Sequence, residues 1–244
     1  MFKQYIGTAL LLCSISSQTA LATEATTTPW KTRSIEAGAM MTSGNTQTTQ
    51  LNMASDMQFD GKEWGFGVKS SASRASDRGK ITAQHYDIHG NVHYNINTRF
   101  YVSLTAEYER DPFSSIDFQI SEAFSVGYHA VLAPPLSLDL EVGGGIRQTK
   151  VQQALKNALN ISDGIARSSL NLKWLINDHN SFTEVITTTG GKQGTISNTE
   201  TALISKLNGS LSSKIAFKTK TNSKPALGTK KTDTETAILL TFSF

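Results

Sequence analysis

The chain is nearly devoid of cysteine: of 244 residues only Cys13 is one, and it lies in the apolar stretch near the N-terminus. Beyond it no disulfide and no thiolate metal site can form, so stability has to come from packing and backbone pairing. Charge is also sparse. Asp, Glu, Lys and Arg make up 18% of the residues with a net charge of +3, against about 25% charged residues in the average globular domain. That balance excludes a basic nucleic-acid surface as the default and leaves no charged disordered block. No apolar run reaches the about 20 residues that a membrane-spanning helix needs, and helical spacing is almost absent after Arg33.

What is present begins with an export signal. Lys3 supplies the positive charge, Tyr5 through Ile15 is apolar, and Ala20-Leu21-Ala22 has the small-x-small form of a cleavage site. A signal peptide is expected over 1–22, with a mature chain starting near Thr23 and a short periplasmic segment over 23–32. The apolar stretch is too short for a transmembrane anchor. Leu12 before Cys13 also departs from the small residue that precedes lipoprotein acylation sites.

From 33 to the end the pattern alternates with period two. Phe100, Val102, Leu104, Ala106 and Tyr108 interleave with mostly polar neighbours, as do Leu136, Leu138, Leu140 and Val142. The last stretch places Ile238, Leu240, Phe242 and Phe244 on one face. Twelve such segments are expected: 33–43, 49–59, 63–75, 81–94, 98–109, 116–130, 136–149, 164–176, 181–189, 196–207, 211–222 and 233–244. They exceed the about 5–6 residues of ordinary strands and suit the about 9–11 residues of a tilted strand crossing a bilayer.

Connections give a second signal. Even-numbered ones are tight and rich in turn residues: Asp60-Gly61-Lys62, Asn95-Ile96-Asn97, Ala133-Pro134-Pro135, Asn177 to Asn180 and Asn208-Gly209-Ser210. Odd-numbered ones are often longer, notably 111–115, 150–163 and 223–232. Short turns on one rim and longer loops on the other are the asymmetry of outer-membrane barrels. In lipid every backbone N–H and C=O needs an internal partner, so strands cross only as a closed cylinder. The expected fold is therefore an all-β, antiparallel, up-and-down transmembrane barrel of about twelve strands over 33–244, located in the outer membrane. Its partners are the bilayer and, through the C-terminal strand ending in Phe244, the barrel assembly machinery. The competing exported β-sandwich has no reason to segregate its loops.

Ile35-Glu36-Ala37-Gly38-Ala39, Thr42-Ser43-Gly44-Asn45-Thr46, Asp111-Pro112-Phe113, Val126-Gly127-Tyr128 and Leu140 to Gly145 resemble the salt-induced outer-membrane protein family (domain of unknown function 481). The resemblance runs from Trp30 to about Lys150, with only general character beyond. It implies an outer-membrane barrel and supplies no catalytic residues.

If the apolar parity faces lipid, the other parity lists the lumen: Glu36, Asn52, Asp56, Lys69, His85, Asp87, His89, His93, Arg99, Glu107, Asp139, Glu141, Arg147, Lys173, Lys214 and Lys218. Two readings stay open, a narrow polar channel or a lumen crossed by ion pairs and closed to solutes. His85, Asp87 and His89 share a face but are about 6.8 Å apart from one to the next, so a solvated polar wall is favoured over a metal site. No metal, cofactor or nucleic-acid partner is expected. A barrel hydrolase would need a Ser-His pair on the lipid-facing wall; the histidines of the fourth segment have lumen parity and no His-x-Ser-Asn-Gly-like run occurs. A non-enzymatic barrel is expected. Two features stand apart. Glu122 falls in the apolar parity, where a bulge or a rim position would relieve it, and Val151, Leu155 and Leu159 are spaced for a short amphipathic helix over 150–163.

Overall fold

The computed structural model describes residues 30–41, 48–113, 116–151, 159–225 and 230–244. The expected signal peptide lies outside them. Twelve strands follow in order: β1 (Trp30–Met41), β2 (Thr48–Asp60), β3 (Trp64–Asp77), β4 (Lys80–Asn95), β5 (Phe100–Arg110) and β6 (Ile116–Val131). The second half comprises β7 (Leu136–Val151), β8 (Leu159–Leu175), β9 (Asn180–Gly191), β10 (Gly194–Lys206), β11 (Leu211–Asn222) and β12 (Thr232–Ser243). Each pairs antiparallel with its sequence neighbours, and β1 closes on β12 from Ser34–Ser243 to Ala37–Leu240. Closure leaves no edge strand, which rules out a two-sheet sandwich. It also provides the internal backbone pairing that lipid demands.

The barrel is apolar outside and polar inside. Large side chains such as Met53, Leu104, Phe124, Val142 and Ile238 are exposed on the outer wall, Ile238 at 71%. Buried residues include Ser103, Thr105, Ser125, Arg147, Thr149, Asp163, Arg167 and Thr241. A barrel built for water would reverse this, because burying apolar surface is what drives its folding. Aromatic side chains mark two levels. Toward one rim Trp64 tilts against Tyr94 at 4.9 Å and Phe100 against Tyr128 at 5.0 Å; toward the other Tyr108 stacks on Phe118 at 6.0 Å. Tyr128 and Phe118 share the outer face of β6, ten residues apart. At about 3.3 Å rise and about 45° tilt they are separated by about 23 Å along the barrel axis, close to the height of an outer-membrane apolar band.

The rim holding the chain end Phe244 has uniformly short connections, 61–63, 96–99, 132–135, 176–179 and 207–210. Three use one device. Asn97 Oδ1 accepts from the backbone N–H of Arg99 and Phe100, at 2.8 and 2.9 Å. Asn177 does the same for His179 and Asn180, and Asn208 for Ser210 and Leu211. A short amide side chain thus replaces backbone partners in a tight reversal.

The opposite rim is more varied than the loop asymmetry predicts. Connections 111–115 and 223–231 are long, yet β3 turns into β4 through Arg78 and Gly79 alone, both at positive φ, as a two-residue hairpin requires. The expected helix over 150–163 is also corrected: β7 continues to Val151 and β8 starts at Leu159, with these two residues paired. Residues 152–158 between them, including Leu155, lie outside the described set. Strand β1 begins at Trp30, inside the segment assigned to 23–32.

Candidate functional site: the lumen

The inward parity encloses a cavity of about 2280 Å³. Pro134, Pro135 and His179 line it at one rim and Val151, Lys224 and Lys230 at the other. Its wall holds His85, Asp87, His89, His93, Glu107, Asp139, Glu141, Lys173, Lys214 and Lys218, together with Glu36, Asn52, Asp56, Lys69 and Arg147. Arg99 is placed elsewhere. It sits in the β4–β5 turn, where its guanidinium donates to the Tyr128 hydroxyl at 3.2 Å on the outer girdle. The parity rule carries no information past the end of a strand.

The charges are organised into separate groups. Near the Phe244 rim, Tyr101 lies across Gly127, and a Cβ at Gly127 would fall inside the Tyr101 ring. The missing side chain lets the Tyr101 hydroxyl pass β6 and donate to Glu141 on β7 at 2.9 Å. Glu141 also accepts from Arg167 at 3.0 Å. The Tyr101 ring packs on His129 at 4.7 Å, and His129 Nδ1 lies 2.6 Å from Asp139. On the facing side Lys214 bridges Glu200 at 2.9 Å and Glu36 at 3.2 Å, with Lys218 3.9 Å from Glu200.

Toward the far rim Arg147 and Asp163, cross-strand partners on β7 and β8, pair at 3.1 Å with both side chains 2% exposed. Arg147 also donates to the Gly194 carbonyl at 3.2 Å, and Asp163 accepts from the Gln193 backbone N–H at 3.1 Å. The β9–β10 turn is thereby drawn against the inner wall; Gly194, at φ 111°, supplies a backbone shape that other residues rarely adopt. A last group spans the barrel: Lys220 on β11 contacts Glu109 on β5, and His85 Nδ1 is 3.9 Å from the same carboxylate.

The histidines of β4 diverge. His85 turns to Glu109, whereas His93 lies 3.5 Å from Asp60 and 5.8 Å from the Tyr101 ring. Among the described residues no group of three or more His, Cys, Asp or Glu is placed to hold a metal ion. Tyr101, Glu109, His129, Asp163, Arg167, Glu200 and Lys220 are not among the lumen candidates named above from parity. Most share parity with residues that are, Glu109 with Glu107 and Lys220 with Lys218. Asp163 falls at the end of the connection expected over 150–163.

Glu122 is exposed on the outer face between Ile120 and Phe124, opposite Ala106 and Ile146. The register shifts of β6 fall at 116/118 and 129/131, so no bulge turns it away. It lies four residues from Phe118 and six from Tyr128, between the two aromatic levels.

The family model "Protein of unknown function, DUF481" matches residues 35–244, which extends the likeness through the last hundred residues. The "Uncharacterized protein YdiY" of Escherichia coli (strain K12) is 24% identical over 212 residues, 86% of this chain and 81% of that protein. Among solved structures, the NanC porin superposes with a TM-score of 0.50 at 11% identity, covering 87% of this chain and 98% of that one. The translocator domain of autotransporter NalP from Neisseria meningitidis gives 0.49 at 11% identity, with 87% of each chain covered. The NanC likeness is one of fold: this chain is a closed antiparallel barrel of the outer-membrane kind.

Proposed function

The chain belongs to the DUF481 family, and from that premise we propose that it is a non-enzymatic outer-membrane barrel whose lumen is a narrow aqueous channel for small hydrophilic solutes. One observation carries the reading: a cavity walled by charged and polar side chains, inside a barrel without an open edge, is lined by residues of both rims. Paired charges projecting into water suit passage of hydrated solutes, since groups already satisfied by each other bind a passing ion weakly enough to release it. The apolar outer wall favours residence in the bilayer. The proposal includes export by the 1–22 segment and recognition of the strand ending in Phe244 by the assembly machinery.

The test is single-channel recording in a planar bilayer, using protein whose folding is verified by heat-modifiable migration on a gel. Discrete steps of current are expected. Absence of current from well-folded protein refutes the channel. In the same preparation, Ca²⁺-dependent lipid hydrolysis that disappears with His85→Ala would establish an enzyme instead.

A further inference from the structure

Lys220 and Glu109 reach each other from opposite walls. In the closed order of strands β5 and β11 are six steps apart by either route. They also stand at the same height. Following the ladder from Glu109 through β4, β3, β2, β1 and β12 arrives at Ser212, eight residues below Lys220. From Lys220 through β10, β9, β8, β7 and β6 it arrives at Tyr101, eight residues below Glu109. The stagger of the barrel is shared equally between the two routes, so the contact runs straight across.

That contact constrains the cross-section. Twelve strands spaced about 4.8 Å apart and tilted about 45° would form a circle about 26 Å across. The two side chains and one hydrogen bond span about 14 Å between Cα atoms. The barrel is therefore oval here, pinched along the β5–β11 axis and divided by the pair. One half is the more crowded: Arg147, Asp163 and the Gln193 turn lie there, and the side chains of the first two are 2% exposed. Described side chains facing the other half include Asn52, Ser73, His85, Asp87 and Glu235, all lining the cavity. Asp87 stands directly opposite Glu109 on the neighbouring strand. Like charges so placed repel, and the ammonium from the far wall offsets that repulsion.

We propose that Lys220 and Glu109 form a strut across the lumen that sets its narrowest point and confines traffic to the side walled by Asn52, Ser73, His85 and Asp87. This deepens the channel reading and rests on it. Two measurements separate them. In detergent-folded protein, Glu109→Cys combined with Lys220→Cys is expected to be joined by a bis-maleimide of about 10 Å. A Glu109→Cys and Leu203→Cys pair, with Leu203 exposed outside the barrel, is expected not to be joined. In planar bilayers Lys220→Met and Glu109→Gln are each expected to raise unit conductance about twofold, as the divided lumen becomes one. The exchange Glu109→Lys with Lys220→Glu is expected to return it to the starting value. Gel migration verifies folding of every variant.

Failure of the cross-link overturns the strut. So does cross-linking accompanied by equal conductance in all variants. Efficient cross-linking with no current from any form refutes the channel and leaves the strut standing as a closure.

Discussion

Replacing Arg147 by Met should be among the most damaging single changes in the barrel. Arg147 and Asp163 are both 2% exposed, and the guanidinium makes bonds to the carboxylate and to the Gly194 carbonyl. Without it Asp163 keeps only the Gln193 N–H as a described partner, and a buried carboxylate loses its counter-charge. Breaking such a pair from one side costs about 3–5 kcal/mol, whereas replacing both partners by apolar groups of similar volume is often close to neutral. Arg147→Met is therefore expected to lose about 4 kcal/mol, and the double variant Arg147→Met with Asp163→Leu to recover most of it. With a urea dependence of about 2 kcal/mol per molar, the single change lowers the midpoint by about 2 M. The assay is unfolding from lipid vesicles followed by tryptophan fluorescence, for which Trp64 and Trp174, exposed on the outer wall, are the reporters. A loss below about 1 kcal/mol for the single variant, or a double variant no better than it, would refute the account of a desolvated pair.

Other substitutions probe different parts of the wall. Tyr101→Phe removes a buried hydroxyl bonded to a carboxylate and should cost about 2 kcal/mol by the same unfolding assay; Arg167 still partners Glu141. Gly127→Val should be worse, because its Cβ would enter the space of the Tyr101 ring. Pairing it with Tyr101→Ala should restore folded yield on heat-modifiable gels. Glu122→Leu is expected to stabilise by about 1–2 kcal/mol in vesicles, since it removes a lipid-facing carboxylate between the aromatic levels. An unchanged or lower urea midpoint would count against that placement.

Most of the architecture was legible because its code is local. Alternation fixes which side chains point inward, strand length fixes the span, and turn residues such as Asn97, Asn177 and Asn208 fix where the chain reverses. The strand ends near 159–163 were less legible: Leu159, Ile161 and Asp163 alternate, but Asn160 and Ser162 between them and Gly164 after them resemble a loop. Partnerships across the lumen were not legible. Parity places Lys220 and Glu109 on the same interior, but their meeting depends on the stagger accumulated over six strands, and no short window of sequence carries that sum. Gly127 is a similar case. Its absent side chain has meaning only because Tyr101 stands beside it in register.

The outer wall also shows where a hydrophobic code stops short of a physical one. Between β8 and β12 the outward positions change from Leu203, Ile215 and Ile238 to Ser197, Thr221 and Thr232 along the strands toward the far rim, and the simple alternation of apolar and polar residues fades there. The register pairs these hydroxyl residues with one another: Thr188 bonds Ser197 and Thr221 bonds Thr232, each at 3.1 Å across neighbouring strands. On the opposite flank Ser55 and Ser70 do the same at 2.9 Å. Ser55 and Ser70 lie between the aromatic levels, where a hydroxyl facing lipid has no water to satisfy it and a cross-strand hydroxyl supplies both donor and acceptor. Thr221 and Thr232 stand beyond Tyr108, at the edge of the band. What the wall must meet is therefore a requirement for satisfied polar groups more than one for apolar residues. The Ser55–Ser70 pair in register satisfies it where Glu122, with no described partner, does not.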